Sequence, residues 1–212
     1  MQATSFTLIY DTYCGWCYGA APIFKALLDS GAQFNCYHLQ LFHGANALPL
    51  DKASAARIAS YDRRIAALTA QPFGEPYFKR VLGSEAQPID SGLTARAAAL
   101  SRDLGAAAEL ALAHRLQQER YVNGNAPDDI EVAIDALSTI GVCADRQQLH
   151  DQLTAAATFE LAKQSAQNAQ REMHSLGVSG VPCLIAHSGG YSKQVELTQY
   201  LGNPEKALAL LN

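Results

Sequence analysis

Cys14-Gly15-Trp16-Cys17 stands between Phe6-Thr7-Leu8-Ile9-Tyr10, a short run of β-formers, and an apolar stretch from Tyr18 to Leu28 with helical spacing. A strand followed directly by a helix puts the two cysteines on the first helical turn. There the unpaired backbone N–H groups and the positive end of the helix dipole favour a thiolate. The first sulfur is then more acidic than a free cysteine, whose pKa is about 8.5. Its neighbour one turn on can close a disulfide with it. Such a pair exchanges electrons without a metal or an organic cofactor. Cys14 reads as a partly exposed nucleophile and Cys17 as its buried partner.

Outward from this stretch, residues 5–11 suit a buried strand and 14–29 a helix, with Gly31 past its end and Pro22 inside it as an expected kink. Residues 33–42 alternate apolar and polar as a second strand, parallel to the first because a helix connects them. From about 50 to 176 the pattern is helical and alanine-rich, with helices expected at 51–71, 75–82, 92–104, 106–122, 128–140 and 145–176. Gly92, Gly105, Asn123-Gly124, Pro127-Asp128-Asp129, Gly141 and Gly177 mark the breaks. The last helix is long enough to bridge two parts of the molecule. After Gly177 the β character returns. Val178 to Ala186 reads as a glycine-punctuated turn into a strand, Ser188-Gly189-Gly190 as a hairpin turn and Tyr191 to Val195 as an edge strand. A terminal helix spans 204–211, with Asn203 as N-cap and Pro204 in the first helical position. The order is β-α-β, a helical block, then β-β-α. We expect an α/β domain of residues 1–48 and 177–212, interrupted by a helical insertion of residues 49–176.

The 212 residues are 49% hydrophobic and 17% charged, a globular composition large enough for a sizeable core. A net charge of −4 gives no electrostatic footing for nucleic acid or an anionic membrane. No apolar run reaches the ~18–20 residues of a membrane span. Met1-Gln2-Ala3-Thr4-Ser5 carries no basic or apolar leader, so a cytoplasmic location is expected. The five cysteines, Cys14, Cys17, Cys36, Cys143 and Cys183, are odd in number and scattered outside the one pair. That is no disulfide framework, and a lone C-x-x-C in a reducing compartment is catalytic or metal-binding.

C-x-x-C after the first strand, Gly180-Val181-Pro182 opening the third, and Pro22 eight residues after Cys14 together resemble the thioredoxin fold. The helical block between the second and third strands narrows the resemblance to the DsbA-like group. Gln118-Glu119-Arg120-Tyr121-Val122-Asn123-Gly124, followed by Asp128-Asp129-Ile130, is similar to a stretch of cytoplasmic FrnE-like proteins and kappa-class glutathione transferases. Gln71-Pro72-Phe73 and Tyr200-Leu201-Gly202 resemble a subgroup of predicted protein-disulfide isomerases. The resemblance covers nearly the whole chain. It implies a thiol–disulfide oxidoreductase or isomerase acting on protein or low-molecular-weight thiols and disulfides, with glutathione admitted as reductant or co-substrate. It also implies a cis Val181–Pro182 peptide facing the sulfurs, with the Val181 backbone offered to substrate. Gly15, Trp16 and Tyr13 complete the expected substrate-contacting set. A monomer and a homodimer are both compatible with it.

Gly15-Trp16 holds no histidine or lysine, so no cation beside Cys14 adds to the helix dipole. A less stabilised thiolate makes a weaker oxidant, closer to a reductase or isomerase poise. The chain also departs from the pattern. Thioredoxins and DsbA carry a buried acid six residues before the first cysteine, where this chain has Leu8. Removal of the Cys17 proton is left to water or to Asp11, with Tyr13 as the other nearby polar group.

Competing readings stand beside these. The pair is also half of a zinc site that Cys36 and His38 would complete, although both of those lie on one strand and would have to reach a helix terminus. Cys183 reads as a buried core residue or as a third redox thiol, and Cys36 and Cys143 as structural. His43, His114, His150 and His174 occur singly. Tyr13, Tyr18, Phe73, Tyr77 and Phe78 line a groove or pack in a core. At the level of function, the alternatives are a glutathione-dependent enzyme of the kappa-class or hydroxychromene-carboxylate isomerase kind, and a redox-sensing binding module.

Overall fold

A computed structural model describes residues 4–84, 88–126 and 128–211. Met1-Gln2-Ala3, read as lacking a leader, and Pro127, read as a helix break, lie outside the described residues. Strand β1 (Ser5–Tyr10) is followed by helix α1 (Gly15–Asp29) and strand β2 (Gln33–His38). Then come α2 (Lys52–Thr69), a π-helical turn (Tyr77–Val81), α3 (Gly92–Ser101), α4 (Ala106–Tyr121), α5 (Ile130–Thr139), α6 (Arg146–Thr154) and α7 (Ala156–Ser175). Strands β3 (Cys183–Ser188) and β4 (Tyr191–Gln194) and a 3-10 run (Pro204–Leu211) complete the chain.

Among the described residues the strands form one sheet in the order β2-β1-β3-β4. β1 and β2 are parallel, with Leu8 opposite Cys36, because α1 carries the chain back between them. β3 runs antiparallel to β1, and β4 antiparallel to β3. Gly189 and Gly190 take φ of +58° and +82° between Ser188 and its partner Tyr191, the left-handed pair a two-residue hairpin turn needs.

Alternation along the central strands divides the core. Phe6, Leu8, Tyr10 and Leu184 face α1, meeting Cys17, Ala20, Ile23, Phe24 and Leu27. Ile9, Cys183 and Ile185 face the other way, onto Ala169 and Met173 of α7. Leu93, Leu112, Leu116, Ile134, Leu137, Leu149 and Leu153 close a separate cluster between α3, α4, α5 and α6. α7 packs on both β2 and α3. The hydroxyl of Ser165 accepts the His38 N–H at 3.0 Å, and Arg102 ties the Cys36 carbonyl at 2.9 Å to the same hydroxyl at 3.2 Å.

Several boundaries differ from expectation. The expected helix 145–176 is two helices, parted at Ala155, whose backbone is extended (φ −70°, ψ 137°). The break lets α6 bury Leu149 and Leu153 in the helical cluster while α7 turns onto the sheet. β2 ends at His38 rather than at residue 42, because Gln40 turns with φ +56° and Leu41 N–H leaves the ladder for Asp11. α1 passes through Pro22 as one run. The terminal segment winds as a 3-10 helix, so Leu208 and Leu211, three residues apart, fall on one side and both pack on the α1 cluster.

Candidate active site

The loop that delivers Cys14 is pinned from below. Asp11, fully buried, accepts the Tyr13 N–H on Oδ1 at 2.8 Å. Its Oδ2 accepts the Leu41 N–H at 2.8 Å and the Ser91 hydroxyl at 2.6 Å. The Thr12 N–H donates to His38 Nε2 at 3.2 Å, and the Tyr121 hydroxyl donates to the Tyr13 carbonyl at 2.8 Å. Burial holds the His38 imidazole below its ordinary pKa, towards the neutral form that can accept this bond. The loop is therefore positioned by β2, α3 and α4 together.

Cys14 occupies the N-cap of α1 with extended backbone, and no side chain caps that helix. The N-cap side chain ordinarily satisfies the first-turn N–H groups, so a sulfur there meets orphan donors and the positive dipole end. All five cysteines are free thiols. Cys14 Sγ approaches the Val181 carbonyl at 3.5 Å, and the Val181–Pro182 peptide is cis. Cys17 sits one turn inside the helix. Burial first, then the hydrogen bond with Cys14, push its thiol well above the ordinary range. The expectation of a partly exposed Cys14 is corrected: it is 7% exposed, roofed by the loop of Val181.

Trp16 is half-buried and lines a groove of about 360 Å³ with Arg64, Val181, Pro182, Leu197 and Leu201. The Arg64 guanidinium lies 6.0 Å from the Trp16 ring. Gly15, Trp16, Val181 and Pro182 are thus gathered around Cys14. Tyr13 is not at the rim: it is buried, with the Arg120 guanidinium 4.5 Å over its ring. Tyr18 and Tyr77 are likewise buried in an aromatic cluster, Tyr18 stacked on Tyr121 and edge-on to Phe73, Tyr77 edge-on to Tyr121. Cys183 is buried on the sheet face opposite Cys14 and Cys17, because neighbouring strand residues point to opposite sides. Cys36 packs in the same cluster as the pair, while His38 is engaged with the loop backbone. No group of three or more His, Cys, Asp or Glu side chains fit to hold a metal ion occurs among the described residues. Nor is any described helix long and apolar enough to cross a membrane.

Four positions are not singled out as site residues in the sequence, Arg120 being marked there only by the family resemblance of its segment. Asp62 of α2 is buried against Gly15, with its Oδ1 2.6 Å from where a β-carbon there would stand. The Tyr77 hydroxyl donates to its Oδ2 at 2.7 Å, and burial raises its carboxyl to about 6. Arg120 lies among Tyr13, Tyr77 and Tyr121. Ser91 and Glu109 are the others. Each is distant in sequence and reaches the site only through helix packing.

Comparison with known proteins gives the family. None of the curated proteins matches. The chain is similar in structure to the cytosolic disulfide reductase DsbM from Pseudomonas aeruginosa, at 26% identity and TM-score 0.84 over 98% of this chain and 96% of that one. It is similar also to that reductase with GSH, at 25% identity and TM-score 0.83 over the same shares. A 2-hydroxychromene-2-carboxylate isomerase shares the fold, at 18% identity and TM-score 0.60 over 96% and 94%. The family model of the DSBA-like thioredoxin domain matches residues 7–204, and the chain belongs to that family.

Proposed function

We propose that this chain is a thiol–disulfide oxidoreductase that works in the reducing direction through Cys14 and Cys17. The observation that carries the reading is Cys14 at the bare N-cap of α1, hydrogen-bonded to Cys17 and facing the Val181 carbonyl. Cys14 thiolate attacks a substrate disulfide, forming a mixed disulfide and releasing the first thiolate. Cys17 then attacks Cys14, taking the bond and releasing the second thiolate; its own electrons and those of Cys14 have reduced the substrate. The Val181 backbone beside the sulfurs offers strand-like pairing to an extended substrate. Trp16 and Arg64 give the groove an apolar and a cationic wall, and Tyr13 supports the loop from beneath.

In this reading residues 1–48 and 177–212 present the thiol pair, while the helical segment 49–176 supplies Arg64 and Asp62 beside it. Similarity to a reductase described as cytosolic, and described with GSH, supports a cytoplasmic role with glutathione as electron donor. The intact pair argues against a one-nucleophile glutathione transferase or isomerase.

The test is a Cys17→Ser trap in which a small disulfide or an extract protein stays joined to Cys14. Cys14→Ser should abolish reduction of insulin. Retained reduction by Cys14→Ser refutes the assignment, as does glutathione thioether formation that survives loss of Cys17.

A further inference from the structure

Cys17 must lose a proton before it can close on Cys14, and burial makes that loss costly. A nearby carboxylate able to take the proton would lower that cost. Asp11 is poorly suited, since its two oxygens already accept three donors that hold the loop. On the other side of α1 lies a cavity of about 640 Å³, walled by Leu8, Tyr10, Cys17, Phe24, Leu110 and Gln117 among others. Cys17 and Tyr10 share it, and the Tyr10 hydroxyl donates at 3.0 Å to Oε1 of Glu109 on α4, a carboxyl 3% exposed.

We propose that Glu109, working through the Tyr10 hydroxyl and the cavity Tyr10 shares with Cys17, takes the proton that the resolving thiol must lose. This rests on the reading of Cys14 as nucleophile and Cys17 as resolving thiol. Glu109 touches neither sulfur and is a positioning residue for the proton. In the step, the Cys17 S–H bond breaks, its electron pair stays on sulfur, and the proton passes to the Glu109 carboxylate. The thiolate then displaces the substrate sulfur from Cys14, and the leaving thiolate carries away the electron pair of the broken disulfide. No further oxidant or reductant enters.

The surroundings suit the task. Burial, opposed by Arg102 and by the Tyr10 hydrogen bond, raises the Glu109 carboxyl to about 7, so both protonation states are accessible near neutrality. Arg102 is held by the Cys36 carbonyl and Ser165, and Cys36, raised by burial and by Glu109 itself, stays a thiol. His38 packs edge-on against the Tyr10 ring. Lys25 is paired with Asp29 and Arg115 with Glu119 at the cavity wall, and His114 is held neutral by burial and Lys25. Gln117 Oε1, buried and without a partner among the described residues, gives the wall a polar foothold for water. The space is ample for a water-borne relay.

Single-turnover mixing of the reduced full chain with dithiobis(nitrobenzoate), with release by the half-exposed Cys143 subtracted through a Cys14→Ser/Cys17→Ser control, separates the steps: the first chromophore released reports capture by Cys14, the second closure by Cys17. The wild type should show closure accelerating through an inflection near pH 7, following Glu109 ionisation. Glu109→Gln should leave capture unchanged, slow closure about 10²-fold and remove the inflection. Closure by Glu109→Gln at the wild-type rate and with the wild-type pH profile overturns the proposal. Should that variant not fold, Tyr10→Phe keeps the carboxylate and removes the link; unchanged closure there overturns it equally. Absence of the first phase in the wild type refutes the oxidoreductase reading itself, and this one with it.

Discussion

Gly15 packs directly against α2, so Gly15→Ala tests the match between the redox loop and the helical segment. A β-carbon at Gly15 would stand 2.6 Å from Asp62 Oδ1 and 3.1 Å from Ile65 Cδ1, whereas real β-carbons essentially never approach within 3.0 Å. Asp62 cannot swing aside cheaply, because it is buried and its carboxyl is held by the Tyr77 hydroxyl at 2.7 Å. Overpacking of this kind costs about 1–3 kcal/mol. Alanine returns up to ~1 kcal/mol of helix propensity, and less at a first-turn position. The net is a loss of about 1–2 kcal/mol, or roughly 2–8 °C in Tm for a domain of this size. Urea denaturation of Gly15→Ala, Asp62→Ala and the double variant isolates the contact. The double variant should be more stable than the sum of the singles by about 1–2 kcal/mol. Gly15→Ala at or above wild-type stability, or additive singles, would refute the placement of α2 against the loop. The same clash bars conversion of Gly-Trp to a Pro-His dipeptide without moving α2.

Three other outcomes are expected. Glu109 holds a proton in the folded state up to about 7, against ~4.3 when unfolded, so its contribution is fully present below the unfolded value and is lost as pH rises through that window. Between about pH 5 and 8 the wild type should therefore lose on the order of 1–3 kcal/mol more than Glu109→Gln; equal losses in urea titrations would contradict the burial of that carboxyl. Cys183→Ala should leave capture and closure within about twofold while costing roughly 1 kcal/mol of packing, because Cys183 faces α7; abolished exchange would mean that it shares the chemistry. With no cation in Gly15-Trp16, equilibration against glutathione should give a potential below about −180 mV, and a value near −120 mV would overturn the reductive poise.

Much of the site is legible along the chain because its parts are local. Cys14 and Cys17 are separated by one helical turn, and the strand before them and the helix after them follow from short-range patterning. The parallel β1–β2 pair follows from the helix that joins them. The hairpin follows from two adjacent glycines that adopt positive φ without strain. The split at Ala155 was not legible, since Ala155-Ala156-Ala157 favours helix and the break serves the divergent burial of Leu153 and Met173. Nor was the burial of Tyr13, an aromatic beside a reactive loop, which Arg120 and Tyr121 cover from α4.

What the residues determine by themselves is the chemistry of the pair: two thiols at a helix start and a dipeptide without a cation between them. What only the tertiary structure decides is which distant groups surround that pair. Asp62, Ser91, Glu109 and Arg120 meet the pair's neighbours Gly15, Asp11, Tyr10 and Tyr13 from α2, the N-cap of α3 and α4, whose packing brings together residues as far apart in sequence as Tyr10 and Glu109. Backbone preference and periodicity act over a few residues, so they write the local elements plainly. A buried carboxylate is placed instead by the sum of many helix contacts and by the cost of leaving it unpaired, and neither has a signature in any short stretch of the chain.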